Sequence, residues 1–435
     1  MKIPTVALIG RPNVGKSTLF NRIARQRISI VEDTPGVTRD RIYAKVEHED
    51  IKFHLIDTGG ITLEKHEFNK EIKMQAELAI DEADVIIFVV DSKEGMTSDD
   101  VIIADMLRKK ADKVIVAINK TDSKKSIEFI YDYYSLGFNE YIDISAEHSR
   151  NISELLDKTI EYFKNVKQEE YEEDIIKFCI IGRPNVGKSS LVNAILREER
   201  SIVSEISGTT RDSIDTPFVY ENNKCVVIDT AGIKKHGRIY ETVERYSILR
   251  SLKAIDRSDV CVIVLNAEEG IIEQDKHIAG YALESQKAVI LVINKWDKCE
   301  KNMNLYKKEL QNHFAFMEYS SILFMSALTK KRVNTLMPEV LKANEMWKKE
   351  IKTSLLNNII TDAVTLNQPP SYKGKRLKIY FVSQIDTKPP KFLFQVNDKK
   401  LIHFSYERYL KNKIRESIDF TGTPIILQFK NRGEK

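Results

Sequence analysis

Gly10-Arg11-Pro12-Asn13-Val14-Gly15-Lys16-Ser17 returns, letter for letter, as Gly182-Arg183-Pro184-Asn185-Val186-Gly187-Lys188-Ser189, 172 positions later. Each copy follows an apolar run, 6–9 or 176–181, and precedes a helix-length segment. In that setting G-x-x-x-x-G-K-S reads as a phosphate-binding loop. Its glycines let backbone N–H groups wrap phosphate oxygens, and Lys16 and Lys188 add a point charge. Ser17 and Ser189 offer hydroxyls to Mg²⁺, and the helix N-terminus contributes orphan donors and its dipole. A lone match is weak evidence, because an ordinary glycine-rich turn satisfies most of it.

The rest of the chain repeats in step. Thr38-Arg39-Asp40 recurs as Thr210-Arg211-Asp212, and Asp57-Thr58-Gly59-Gly60 as Asp229-Thr230-Ala231-Gly232, both again 172 apart. Asn119-Lys120-Thr121-Asp122 recurs as Asn294-Lys295-Trp296-Asp297 at 175, and Ser145-Ala146 as Ser326-Ala327 at 181. Offsets that begin equal and then grow mean one domain copied whole, with insertions in loops of the second copy. Apolar runs at 6–9, 53–56, 85–90, 114–118 and 141–144 predict strands in the first copy. Those at 176–181, 225–228, 260–265, 288–293 and 322–325 predict strands in the second. Near-continuous Val and Ile runs alternating with helix-length segments predict parallel strands covered on both faces, an α/β domain made twice. The expected organisation is a first domain over 1–165, an acidic linker over 166–174, a second domain over 175–350, and a small α+β domain over 351–435.

The base-recognition motif separates guanine from adenine. A carboxylate at Asp122 or Asp297 accepts two hydrogen bonds, from guanine N1 and N2. Adenine has no such donor pair, so an unpaired carboxylate penalises it. Asn119 and Asn294 are expected to hold the loops and reach the base, Lys120 and Lys295 to cover its face, and the Ser145-Ala146 and Ser326-Ala327 turns to offer a backbone N–H to O6. Asp57 and Asp229 are candidate Mg²⁺ carboxylates, each followed by a glycine, Gly60 or Gly232, whose N–H can sense a γ-phosphate. Thr38 and Thr210 are candidates to close on Mg²⁺ when GTP is bound. Ile61 and Ile233 stand where many small GTPases have a water-orienting glutamine, and isoleucine cannot hydrogen-bond water. The polar segments 61–70 and 233–240 are expected to respond to the γ-phosphate. An ATP-driven enzyme conflicts with both Asn-Lys-x-Asp motifs, and a scaffold with degenerate sites would show a broken motif.

Charge and composition narrow the class further. Hydrophobic content of 42% with 30% charged residues describes a globular chain. No apolar run reaches membrane-spanning length, and the N-terminus enters a predicted strand at once, so neither span nor signal peptide is expected. Cys179, Cys225, Cys261 and Cys299 show no metal-ligand spacing, and three lie in predicted strands as buried thiols, which points to the cytoplasm. The net charge of +4 is unevenly spread: from residue 351 onward 16 Lys and Arg face 7 Asp and Glu, a balance of +9. That last stretch reads helix, strand, strand, helix, strand, with Arg408, Lys411 and Arg415 on one helix face and Lys373, Lys375, Arg376 and Lys378 around a turn. Such a cationic surface is expected to meet phosphate, while Tyr372, Tyr380, Phe404, Tyr406 and Tyr409 are expected mostly in the core.

Two domains each opening on Gly-Arg-Pro-Asn-Val-Gly-Lys-Ser, then a short basic α+β domain containing Lys388-Pro-Pro-Lys-Phe392 and Phe420-Thr-Gly-Thr-Pro424, resemble the EngA/Der family of bacterial ribosome-assembly GTPases. The resemblance covers nearly the whole chain. It implies a cytoplasmic, monomeric GTPase that acts in maturation of the large (50S) ribosomal subunit through rRNA contacts, with a KH-like third domain. That domain lacks the Gly-x-x-Gly loop with which KH modules clamp a nucleotide backbone, so contact led by charge and shape is expected. In similar GTPases with a hydrophobic residue in place of glutamine, the asparagine at the position of Asn13 and Asn185 helps bind potassium. A K⁺ ion there is therefore implied as a second cation.

Overall fold

The Val and Ile runs become strands buried on both faces. The computed structural model describes residues 3–27, 43–57, 83–122, 129–164, 174–197, 201–203, 215–230, 244–372 and 374–433. Its chain falls into two units, residues 1–170 with 240–253 and residues 171–239 with 254–435. In the first, β1 (Thr5–Ile9), α1 (Lys16–Arg27), β2 (Tyr43–His48), β3 (Ile51–Asp57), β4 (Val85–Asp91), α2 (Ser98–Leu107), β5 (Val114–Asn119), β6 (Glu140–Asp143) and α3 (Ile152–Phe163) form a six-stranded sheet in the order β2-β3-β1-β4-β5-β6 with its flanking helices. Side chains alternate across it: Val6 and Leu8 join the core beneath α1 and α3, while Ala7 and Ile9 join the core on the opposite face. Each such buried Val, Ile or Leu contributes about 1.5–3 kcal/mol, which is why these strands read as unbroken apolar runs.

The second unit begins with the same plan: β7 (Ile176–Ile181), α4 (Lys188–Leu196), β8 (Ser201–Val203), β9 (Thr216–Tyr220), β10 (Asn223–Ile228), the last four residues of α5 (Glu244–Arg257, otherwise assigned to the first unit), β11 (Val260–Asn266), α6 (Glu273–Glu284), β12 (Ala288–Asn294), α7 (Met303–His313), β13 (Ser321–Phe324) and α8 (Leu336–Trp347). Its sheet runs β13-β12-β11-β7-β10-β9-β8. In both sheets the order reverses at the strand that carries the phosphate loop, β1 or β7. Loops leaving its C-terminal end therefore part and leave a crevice, the usual ligand site of an open α/β sheet. Sequence reading missed the antiparallel edges: β2 pairs with β3, β9 with β10 and β8 with β9. The first two hairpins turn at Glu49-Asp50 and Glu221-Asn222, all four residues at positive φ. This is the mirror-image turn that suits strand twist, made here without the glycine that usually marks it. Cys179, Cys225 and Cys261 are buried in β7, β10 and β11, as expected.

The same unit ends in α9 (Thr353–Leu366), a short hairpin β14 (Ser371–Tyr372) and β15 (Lys375–Arg376), then β16 (Ile379–Thr387), β17 (Pro390–Val396), α10 (Phe404–Ser417) and β18 (Ile426–Asn431). The main sheet is β16-β17-β18, antiparallel then parallel. Leu356 and Ile360 of α9 and Leu410 and Ile414 of α10 pack with Phe392 and Phe394 in its core. The loop after α10 docks this domain on the sheet before it. Val289 N–H donates to Gly422 O at 2.7 Å, Gly422 N–H donates to Tyr319 O at 2.7 Å, and Thr423 Oγ1 donates to Ala343 O at 3.2 Å. Gly422 sits at φ +76, and a Cβ there would meet Ala343 Cβ at 3.1 Å.

Candidate functional site

The two phosphate loops have nearly the same internal geometry. Lys16 Nζ donates to Gly10 O and Arg11 O at 2.8 and 2.6 Å, and Lys188 Nζ to Gly182 O and Arg183 O at 2.8 and 2.5 Å. Each ammonium is curled against carbonyls of its own loop, and burial pushes both lysines down to about 8. Ser17 Oγ donates to Asp57 Oδ2 at 2.7 Å. The hydroxyl and carboxylate assigned to Mg²⁺ thus stand side by side, the hard-oxygen donor set that this ion takes. In the second copy Asp229 N–H donates to Asp215 Oδ1 at 2.9 Å, and the Thr216 and Thr230 hydroxyls are 2.7 Å apart. Arg257 in turn holds the Asp215 carboxylate at 2.5 Å.

One buried asparagine ties three motifs together in each copy. Asn119 Nδ2 donates to Val14 O at 2.8 Å, and Asn119 Oδ1 accepts the Ala146 N–H at 3.0 Å. Asn294 repeats this with Val186 O at 2.8 Å and Ala327 N–H at 2.9 Å. Phosphate loop, base motif and Ser-Ala turn are thereby tied together by the chain's own groups. The close approach also explains a glycine. Gly15 is at φ +97, and a Cβ there would fall 2.3 Å from Asn119 Nδ2. The Ala146 and Ala327 amides, expected to face guanine O6, are directed at these asparagines.

Arg11 and Arg183 do something that sequence reading did not foresee. Their side chains point away from the phosphate loop into a carboxylate clamp. Arg11 Nε donates to Asp100 Oδ2 at 3.3 Å and Nη1 to Glu94 Oε2 at 2.6 Å; Arg183 repeats this with Asp275 at 2.7 Å and Glu269 at 2.8 Å. Asp100 and Asp275 are fully buried, and burial pushes both carboxyls above the usual range. Each also accepts the N–H that opens the following helix, from Thr97 at 3.0 Å or Ile272 at 3.1 Å. The clamp fixes the phosphate loop to the loop after β4 or β11. Its repetition in both copies was the one signal available from sequence.

The base ends of the two sites differ. Lys120 Nζ donates to Asn13 O at 2.8 Å and pairs with Asp91 at 2.5 Å, while Lys93 Nζ donates to Asp122 Oδ2 at 2.8 Å. That contact holds the Asp122 carboxyl below its ordinary value. In the second copy the places of Asp91 and Lys93 are taken by Asn266 and Glu268. Asn13 and Asn185 are exposed in the left-handed conformation at φ 66 and 62. Thr38, Thr58, Gly59, Gly60, Ile61, Thr210, Ala231, Gly232 and Ile233, with the segments 61–70 and 233–240, lie outside the described residues.

The expected phosphate-facing helix needs correction. Arg408, Lys411 and Arg415 do lie along α10, but Arg415 is mostly buried. Its guanidinium donates to Phe420 O at 3.0 Å and Thr423 O at 2.7 Å and stacks over Tyr319 at 5.3 Å. Arg408 faces Glu318 at 3.5 Å, and Lys411 pairs with Glu407 one turn away at 2.7 Å. Arg415 thus holds the last domain against Tyr319 of the preceding one, while the Arg408 side chain stays 66% exposed and Lys411 pairs within its own helix. Among the described residues of this domain Lys375, Arg376 and Lys378 are exposed, as are Lys352, Lys388, Lys399, Lys400 and Arg432, while Lys373 lies outside the described residues. Among the aromatics, Tyr406 is core, whereas Phe404 and Tyr380 are 74% and 45% exposed.

Comparison with known proteins places the chain in a family. A family model described as "50S ribosome-binding GTPase" matches residues 5–120 and 177–295. One described as the KH-domain-like C-terminal part of EngA bacterial GTPase enzymes matches 350–430. The curated GTPase Der of Geobacillus sp. (strain WCH70) is 54% identical over 428 residues, covering 98% of each chain. That of Macrococcus caseolyticus (strain JCSC5402) is 52% identical over 435 residues, covering 99% of this chain and 100% of its own. Among solved structures, Aquifex aeolicus Era bound to GDP and aluminium fluoride aligns at 20% identity over 75% of this chain and 94% of its own, with a TM-score of 0.31.

Proposed function

The chain belongs to the Der family of GTPases, and from that premise we propose that GTP bound in both phosphate loops gates its attachment to the large ribosomal subunit during that subunit's maturation in the cytoplasm. The observation that carries this reading is the repeated asparagine tie: Asn119 and Asn294 each join phosphate loop, base motif and Ser-Ala turn through two hydrogen bonds of 2.8–3.0 Å. A degenerate copy kept as scaffold would have no reason to retain that lock.

In this mechanism Lys16 and Lys188 turn from their own loop carbonyls to the outer phosphates. Ser17, Thr38 and Asp57, and in the second site Ser189, Thr210 and Asp229, are the residues that would hold Mg²⁺. When bound, that ion offsets negative charge on the outer phosphate oxygens. Water attacks the γ-phosphorus as its bond to the β–γ bridging oxygen breaks, and GDP leaves with that oxygen. The γ-phosphoryl leaves as inorganic phosphate carrying the water's oxygen, and the surplus proton passes to phosphate or solvent. Asn13 and Asn185 are the residues for K⁺. Asp122 and Asp297 accept guanine N1–H and N2–H. Domain boundaries at 165, 174 and 350 follow from the same reading, with the protein acting as a monomer.

The RNA contact is assigned to exposed Lys375, Arg376 and Lys378 rather than to the docked face of α10. Co-sedimentation with purified ribosomal subunits tests both parts. Wild-type protein with a non-hydrolysable GTP analogue is expected in the large-subunit fraction, and with GDP largely outside it. Reversing charge at Lys375, Arg376 and Lys378 together is expected to release it as salt rises, with GTP affinity unchanged. Sedimentation independent of nucleotide contradicts the gating, and wild-type binding by the triple variant contradicts the assigned surface.

A further inference from the structure

Both sites read guanine with the same four-residue motif, yet their surroundings hold it differently. In the first, both charged members are engaged by the end of β4 and the loop that follows it. Asp91, fully buried, takes Lys120, and Lys93 Nζ sits 2.8 Å from Asp122 Oδ2. The equivalent loop of the second copy is aligned by its clamp, since Glu269 and Asp275 hold Arg183 as Glu94 and Asp100 hold Arg11. That alignment puts Asn266 opposite Asp91 and Glu268 opposite Lys93. Asn266 turns its side chain to Glu269 at 2.6 Å and accepts the Glu268 N–H at 3.0 Å. Glu268 faces Lys298 at 3.8 Å. Among the described residues Asp297 makes no ion pair.

We infer that Lys93 is a latch on the first guanine site, competing with the base for the Asp122 carboxylate, and that the second site has no counterpart. The inference rests on reading Asp122 as the guanine acceptor. A carboxylate that already accepts from an ammonium must give up or share that contact before both guanine donors can reach it. The Lys93 and Asp122 side chains are 46% and 26% exposed. The pair is therefore screened by water and salt, and a pair of this kind changes an equilibrium roughly twofold to fivefold. Added salt weakens the latch. Salt also weakens phosphate binding, but at both sites. The ratio of first-site to second-site affinity therefore isolates the latch.

Fluorescent GDP titrations on the full chain test this. Asp297→Asn isolates the first site and Asp122→Asn the second. In the Asp297→Asn chain, adding Lys93→Met is expected to tighten GDP roughly twofold to fivefold, whereas Lys93→Arg keeps the starting affinity. In the Asp122→Asn chain, Glu268→Lys is expected to weaken GDP by a similar factor. In chains with Lys93, the ratio of first-site to second-site affinity is expected to rise with NaCl, and in Lys93→Met chains it is expected to stay flat. Unchanged or weaker first-site binding in Lys93→Met overturns the latch, the weaker case making Lys93 a contact of the bound base. An Asp297→Asn chain that binds no GDP overturns the reading of Asp122 itself, a failure seen before Lys93 is touched.

Discussion

The lysines proposed to meet the outer phosphates sit where burial disfavours their charge. Burial brings Lys16 and Lys188 to about 8, against an ordinary 10.5. Between those values the unfolded chain binds more protons than the folded one, so the stability of the free protein is expected to rise as pH climbs from 8 toward 10.5. Phosphate reverses the sign. It favours the ammonium, so GDP affinity is full below pH 8 and is expected to fall by up to about tenfold per pH unit above it. Melting curves and GDP titrations over one pH series read both slopes, and parallel slopes contradict the account. Potassium belongs to the same scale. Turnover is expected to be several-fold faster in KCl than in NaCl at equal ionic strength, with Asn13→Ala and Asn185→Ala together removing the difference; equal wild-type rates argue against a cation there. The candidate lysines, serines and Asn-Lys-x-Asp carboxylates could be named from sequence because their spacing is fixed by one loop or one turn. The Arg11 clamp could not, because Glu94 and Asp100 lie 83 and 89 residues away and only folding brings them in.

Among the elements, the central strands were legible and the edges were not. β4 and β5 are buried at every position, and their apolar runs end within a residue of the structure's own bounds. β2 carries Lys45 and Glu47 at the sheet edge, and its turn at Glu49-Asp50 has no glycine, so neither period nor punctuation announced it. The loop after α10 shows the reverse: Phe420-Thr-Gly-Thr-Pro424 was plain as a motif, but its job was not. The structure makes it the docking loop of the last domain, with Gly422 at φ +76 beside Ala343. Gly422→Ala adds a strained φ and a close Cβ contact, and is expected to cost about 1–3 kcal/mol of stability in this unit. Chemical unfolding monitored at Trp347 of α8 measures it, and a loss below about 0.5 kcal/mol would mean that the loop shifts at little cost.

For the whole molecule, charge was the misleading signal. The +9 of the last domain put cations both around the 373–378 turn and along α10, but a helix face reads the same whether it meets RNA or another domain. Its partners Glu318 and Tyr319 belong to the preceding domain, where no pattern in α10 could reveal them. The duplication, by contrast, was legible in full, because two copies of five motifs in one order leave no second topology to consider. The central claim is that both copies are working guanine sites, and counting bound nucleotide tests it most directly. Equilibrium dialysis at saturating GDP is expected to give two nucleotides per wild-type chain, one at the same concentration in either Asp122→Asn or Asp297→Asn, and no displacement by excess ATP. One nucleotide per wild-type chain, a count unmoved by one of the two substitutions, or equal competition by ATP would contradict it.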